Sequence, residues 1–484
     1  MSHTNCLAVR LGLRLALVGA LLGLTMLLPV NAWASKGIVN VPPPNGTDDT
    51  ANLQAALDTC VAYGKNCTVQ LAAGNYLTKQ LVAYNFRGTF KGKGRDKTII
   101  EALPNLPVNG WDQDNTTWWL PNTTDHTWPD LILFIDGDIR VSDLAINVTA
   151  VPAVQTWWFG GLDWHAMLTA LRFMGQSRTN ATVERVAIQG TPDDTTLFYG
   201  VNLLNGLGYN GDLPKSNVFH DAYPLSGNLT VSASSWMTVG DAIFVGGGSS
   251  VVKDSRIIIG GSPQGGNTAQ DEPGNHLLLF GIDLENLENS VAEVSYNVVG
   301  GGYIALDVIP GGATATKPSL FLLHHNTLKP SGADADGLVL VDDPTNKWIF
   351  ALIYNNTVEA QDIGYGGISA YFTNGTTILN NKLTGNGADG IGIWGGTYAA
   401  VLGNNVTDFT AVPDFGLAQI VLDDTTTHST AVCKTPNDTA MNLGTDNKLI
   451  GCQEVGSGDK ASKVNSLPSK LRFQRWLKQK PLGH

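Results

Sequence analysis

Three carboxylates in the C-terminal half, Asp307, Asp342 and Asp343, are the side chains best suited to chemistry. Asp307 follows the apolar stretch Tyr303–Leu306, and the pair follows Gly337–Val341. Carboxylates brought together can divide two tasks. One with a raised pKa keeps its proton and acts as an acid, while another stays ionised, as hydrolysis needs. The same oxygens could instead hold Ca2+, the one cofactor expected, which would neutralise an acidic substrate and acidify the proton beside its carboxylate. Elimination then needs a base, for which Lys329 and His325 lead, with His324 and Lys347 nearby. Tyr371 and Trp394 fall at equivalent places further on and offer flat apolar rings. Against this stands ordinary turn chemistry for Asp at strand ends, and one of His324 and His325 is expected to face the core. A second acidic group, Asp271, Glu272, Asp283 and Glu285, reads as part of a loop before Asn289, as a lid or a solvated segment.

These residues are placed by a repeat. Short apolar strands are each followed by Asn, one variable residue and an aliphatic residue, with Asn at 297, 326, 356, 381 and 404. Second strands lie between them, at Tyr303–Leu306, Gly337–Val341, Gly367–Tyr371, Gly390–Trp394 and Ala418–Leu422. Spacings of 23 to 30 residues with Gly turns indicate a solenoid. Strands this short and β-branched exclude helical repeats, and a propeller blade would need about 40 residues. Coils paired in parallel would stack equivalent Asn side chains, amide to amide, about 4.8 Å apart. Strand alternation with the aliphatics inward sends Asp307, Val341, Tyr371, Trp394 and Val421 outward.

Residues 1–34 read as a signal peptide: Arg10 and Arg14, an apolar Leu15–Leu28, then Ala32-Trp33-Ala34. Export leaves Cys60, Cys67, Cys433 and Cys452, for which the local pairs 60–67 and 433–452 are the simplest of three pairings. Thr50–Tyr63 has helical spacing of Leu53, Ala56, Leu57 and Cys60, with Asp49 or Thr50 as N-cap, and would cap the solenoid. The domain is expected over 35–455, with insertions near 102–128, 151–236 and 260–289 and a basic tail at 456–484. The first two insertions hold Trp111, Trp118, Trp119, Trp128, Trp157, Trp158 and Trp164, which read as binding loops or as cover for the coil. Net charge is −12. Setting aside the two signal arginines and the seven cations of residues 460–484 leaves 21 basic residues against 42 acidic ones. Such a balance excludes a nucleic-acid binder, and no other stretch is long and apolar enough to cross a membrane.

Asn45–Leu57, Val69–Tyr76 and Phe90–Ile100 resemble the opening of pectate-lyase-like right-handed parallel β-helix proteins. The resemblance implies an all-β, single-stranded right-handed parallel β-helix with an N-terminal capping helix. It also implies an extracellular or periplasmic protein that acts on or binds polysaccharide, for which Tyr371 and Trp394 would form a sugar platform. The paired Asp, Gly-His-Gly and Arg-Ile-Lys motifs of galacturonan hydrolases are missing, as is the Asp-Pro-His-Glu signature of alginate epimerases. The expectation is a monomeric polysaccharide lyase, with a glycoside hydrolase next and a non-catalytic glycan-binding or structural surface protein as the alternative.

Overall fold

The computed structural model divides into Met1–Lys36 and Gly37–His484. It describes residues 37–455 apart from 105, 107–129, 152–167, 191–196, 206–226, 233–234, 239–241, 247, 260–269, 273–274, 277–279, 286–289, 302–303, 310–318, 331–334, 343–348 and 412–417. The seven tryptophans above, Asp343, Lys347, the signal segment and the basic tail therefore lie outside the described residues.

The chain winds through three rows of parallel strands. The first row includes Ile243–Gly246, Phe280–Glu285, Ile304–Ile309, Asp336–Val341, Gly366–Tyr371, Asp389–Trp394, Ile420–Leu422 and Thr439–Asn442. The second row includes Val291–Ser295, Ser319–His324, Ile349–Tyr354, Thr377–Leu379 and Ala400–Leu402. The third is shorter and follows each Asn: Val298–Gly301, Thr327–Lys329, Thr357–Ala360, Lys382–Gly387 and Asn405–Ala411. Three long strands near the N-terminus, Leu81–Lys91, Asp130–Asn147 and Leu168–Gln189, each run through more than one row. The segments read as insertions contribute coils as well: Leu168–Gln189, Leu197–Asn205 and Gly227–Ser232 lie within 151–236, and Phe280–Glu285 is a first-row strand.

Inward side chains from all three rows meet in one continuous core that runs from Val41 to Ala440. Alternation explains this: Ala292 and Val294, Phe321 and Leu323, Ala351 and Ile353 stack in register from coil to coil and are buried. The Asn ladder sits at the corner between the second and third rows. Asn297, Asn326, Asn356, Asn381 and Asn404 are each 1% exposed. The side-chain oxygen of Asn356 accepts from the backbone N–H and the amide of Asn326, both at 3.0 Å. Its own amide donates to Asn381 Oδ1 and to the Leu323 carbonyl. The residue before each of the first four rungs, Tyr296, His325, Asn355 and Asn380, is left-handed, with φ between 53° and 57°. This kink folds Asn inward at a tight corner.

The cap is the helix Thr50–Tyr63, which buries Leu53, Ala56, Leu57 and Cys60. Asp49 stands at the N-cap, but its carboxylate accepts from the Asn45 and Leu77 N–H groups rather than from the helix. Disulfides join Cys60 to Cys67 and Cys433 to Cys452. Among the described residues no helix is long and apolar enough to cross a membrane.

Candidate functional site

The outer face of the first row gathers the polar groups of interest. Backbone register lines up Arg172, Asn202, Phe244, Asp283, Asp307, Val339, Ser369, Gly392, Val421 and Met441, one per coil. Asp283 and Asp307 are directly opposite each other on adjacent strands. At the upstream end, Arg172 Nε donates to Asp130 Oδ1 at 2.8 Å in a buried ion pair. Burial pushes the Asp130 carboxyl up against the pull of that guanidinium.

A second column runs Asp336, Gly366, Asp389 along the start of three successive strands. Simple alternation from Leu338, Ile368 and Ile391 would turn these residues inward. Instead, the next residue in each strand takes a core position. A side chain at Gly337 would meet Val358, one at Gly367 would meet Leu383, and one at Gly390 would approach Phe409, all core residues. Two consecutive inward positions break the period, so Asp336, Gly366 and Asp389 share the outer side with Val339, Ser369 and Gly392.

Glycine makes the close packing of polar groups here possible. A Cβ at Gly366 would lie 2.3 Å from Ser369 Oγ and 2.9 Å from Asp389 Oδ1. A Cβ at Gly392 would lie 2.3 Å from Trp394 Nε1 and again 2.9 Å from Asp389 Oδ1. Asp389 Oδ1 thus lies against both glycines, with Ser369 Oγ beside the first and Trp394 Nε1 beside the second. All three are buried and find no hydrogen-bond partner. Native proteins rarely leave such atoms unsatisfied except where a ligand, ion or water completes them. Asp389 is 1% exposed, and its carboxyl is pushed up to about 8, first by burial and then by the negative charge of Asp336. It therefore holds its proton at neutral pH. Asp336 Oδ1 accepts from the Gly366 N–H at 3.0 Å, which fixes one carboxylate across the glycine from the other.

The expected site residues disperse over this frame. Asp307 occupies the outer column opposite Val339, which stands three residues before Asp342, or about 10 Å along the strand. Asp342 is 3% exposed, and its Oδ2 accepts from the Ile349 N–H at 3.0 Å. Among the described residues no group of three His, Cys, Asp or Glu is arranged to hold a metal ion. Lys329 belongs to the third row, where its Nζ lies 2.7 Å from Glu359 Oε2 on an exposed face. His325 is exposed at the ladder corner, and neither it nor His324 faces the core, because the left-handed kink turns Asn326 inward instead. Neither base candidate lies on the first row. Tyr371 and Trp394 are neighbours in register, with ring centroids 6.2 Å apart and planes 17° apart, but at 6% and 3% exposure they are covered. Asp283 is 2% exposed in a strand rather than free in a loop.

Alternation missed Asp336 and Asp389. The signal that could have found them is the repeated strand start Asp336-Gly337-Leu338, Gly366-Gly367-Ile368, Asp389-Gly390-Ile391.

Neither a family model nor a curated protein sequence matches the chain. Solved structures do. DFA-IIIase from Arthrobacter chlorophenolicus A6, solved in complex with DFA-III, is similar at 11% identity and a TM-score of 0.52, over 82% of this chain and 94% of that one. The mannuronan C-5 epimerase A-module of Azotobacter vinelandii matches at 15% identity and a TM-score of 0.43, over 87% and 98%. The Dettilon tailspike protein matches at 12% identity and a TM-score of 0.47, over 85% and 68%. The chain has the right-handed parallel β-helix fold of pectate-lyase-like proteins.

Proposed function

We propose that the chain is an exported, polysaccharide-active β-helix protein that hydrolyses a glycan along its first row, with Asp389 as proton donor. The observation that carries this reading is a set of three buried, unpartnered polar atoms about Gly366 and Gly392, namely Ser369 Oγ, Asp389 Oδ1 and Trp394 Nε1, beside a second carboxylate. A carboxyl that stays protonated at neutral pH can give its proton to a departing glycosidic oxygen. A paired carboxylate would serve the other side of the bond, and we assign that part to Asp336, whose charge reaches Asp389. Ser369 Oγ and Trp394 Nε1 offer hydrogen bonds to sugar hydroxyls.

Hydrolysis is favoured over elimination by what these strands lack. Asp336–Val341, Gly366–Tyr371, Asp389–Trp394 and Ile420–Leu422 carry no Lys, Arg or His to take a proton from a sugar carbon. Asp389 is buried, so a sugar reaches it only through a rearrangement of its surroundings. Two disulfides in the described residues suit an oxidising compartment.

The test is incubation of the full chain with pectate, alginate and neutral glycans, following reducing ends and the ultraviolet absorbance of unsaturated sugars, with and without EDTA. The expected result is new reducing ends without absorbance, falling at least about 100-fold in Asp389→Asn, the scale of a lost general acid. Unsaturated products would establish elimination instead. Glycan binding that survives in Asp389→Asn, without turnover in the parent protein, would make this a binding module.

A further inference from the structure

The outer face of the second row changes character along the stack. Upstream, its middle outward column passes through Thr68, Thr89, Arg140 and Thr182. From Val291–Ser295 onward the same column starts at Glu293, passes Leu322 and Leu352 to Thr377, and reaches Lys448 in three further coils, the last two on Thr430–Val432 and Lys448–Ile450. Leu320 and Phe350 flank it on one side, and Leu379, Leu402 and Ile450 on the other. Phe350 is 42% exposed and Ile450 50%. Of the outward positions on these seven strands, Glu293 and Lys448 alone carry a carboxylate or an ammonium group. A contiguous apolar face that begins where a polar one stops marks an interaction surface.

We infer that a second copy of the chain packs on this face, with the two solenoid axes antiparallel. The charges select that arrangement. A twofold axis between two packed sheets lies in the plane between them. Laid along the strands at Thr377, it reverses the order of the coils. Thr377 stands three coils from Glu293 and three from Lys448, so Glu293 of each copy faces Lys448 of the other at both ends of the interface. Laid along the solenoid instead, the axis would set Glu293 against Glu293 and Lys448 against Lys448. Both printed contacts of Glu293, with His324 and Ser295, use Oε1, and Lys448 makes no ion pair among the described residues. The rings agree with the charges. Phe350 and Tyr398, the latter 49% exposed, stand one coil either side of Gly375, so the same axis lays Phe350 on Tyr398 of the second copy. Seven strands about 4.8 Å apart and about 17 Å long give a footprint of roughly 550 Å2 per copy, or about 1,100 Å2 in all, enough for a specific dimer.

The test is sedimentation equilibrium of the full chain and four variants. The parent should sediment at twice the chain mass, and Phe350→Lys at the chain mass. Glu293→Lys and Lys448→Glu should each raise the dimer dissociation constant at least about 10-fold, because each sets like charges face to face. The double variant Glu293→Lys with Lys448→Glu should restore the dimer, which no local damage around either residue would do. A parent that stays monomeric at every concentration would overturn the inference and leave the face to another occupant, such as a glycan. A dimer indifferent to Phe350→Lys would place the interface elsewhere, and a double variant as weak as the single ones would overturn the antiparallel register.

Discussion

Asp389 draws its chemistry from where it is held. Burial alone raises a carboxyl, and Asp336 across the missing side chain of Gly366 raises it further. The consequence for stability has a definite sign. Asp389 is protonated when folded and ionised when unfolded between pH 4 and its folded pKa of about 8, so folding takes up a proton there. Its contribution falls as pH rises through that window and is level above it. Asp389→Asn should remove this slope. Between pH 5 and pH 8 the parent should lose on the order of 4 kcal/mol more than the variant, read from urea unfolding at each pH. An equal loss in both proteins would mean that Asp389 titrates as an ordinary surface acid. Asp336→Asn should lower the Asp389 pKa without restoring it, because burial is the larger cause. Neither acid was legible in the sequence. Period-two counting from Leu338 and Ile391 assigns both to the core, and only the second inward position, taken by Gly337 and Gly390, turns them out.

The Asn ladder was fully legible, because its physics demands identity. An amide that donates to the rung above and accepts from the rung below is replaceable only by the same amide, so Asn recurs where the surrounding aliphatics vary. The coil lengths followed from the same residues. The third row was read only as the aliphatic that trails each Asn, since strands as short as Thr327–Lys329 carry too few residues to show a period. The ladder also ranks its own substitutions. Asn356→Ala removes an acceptor used twice and two donated bonds, all buried, and should cost about 3 kcal/mol or more in denaturant unfolding. Asn404 ends the run and donates only to the Ile378 carbonyl, so Asn404→Ala should cost measurably less. Equal costs would show that rungs act independently of their neighbours.

The molecule is a one-dimensional stack, so its ends matter more than those of a globular domain. The helix Thr50–Tyr63 covers one end of the core, and a disulfide holds each end: Cys60–Cys67 beneath the helix, and Cys433–Cys452 across the last coils. The second closes a separation of 19 residues, for which chain entropy gives about 3 kcal/mol. Cys433→Ser with Cys452→Ser should therefore loosen the C-terminal coils first. Hydrogen exchange should rise over residues 420–455 and stay unchanged around the helix, whereas a uniform rise would indicate one all-or-none unit. Local disulfide pairs and the capping helix were readable because each depends on contacts close in sequence. The first-row face was readable in part: Val341, Tyr371 and Trp394 do stand in register, whereas Asp307 pairs with Val339, because register between coils depends on contacts far apart in sequence.

The account turns on one protonation state. Difference infrared spectroscopy of the parent against Asp389→Asn reads it directly through the carbonyl stretch of a neutral carboxylic acid. The band should be present at pH 6, vanish with a midpoint near 8, and be missing from the variant throughout. A parent spectrum without that band at pH 6 would leave the first row without its acid and contradict the account.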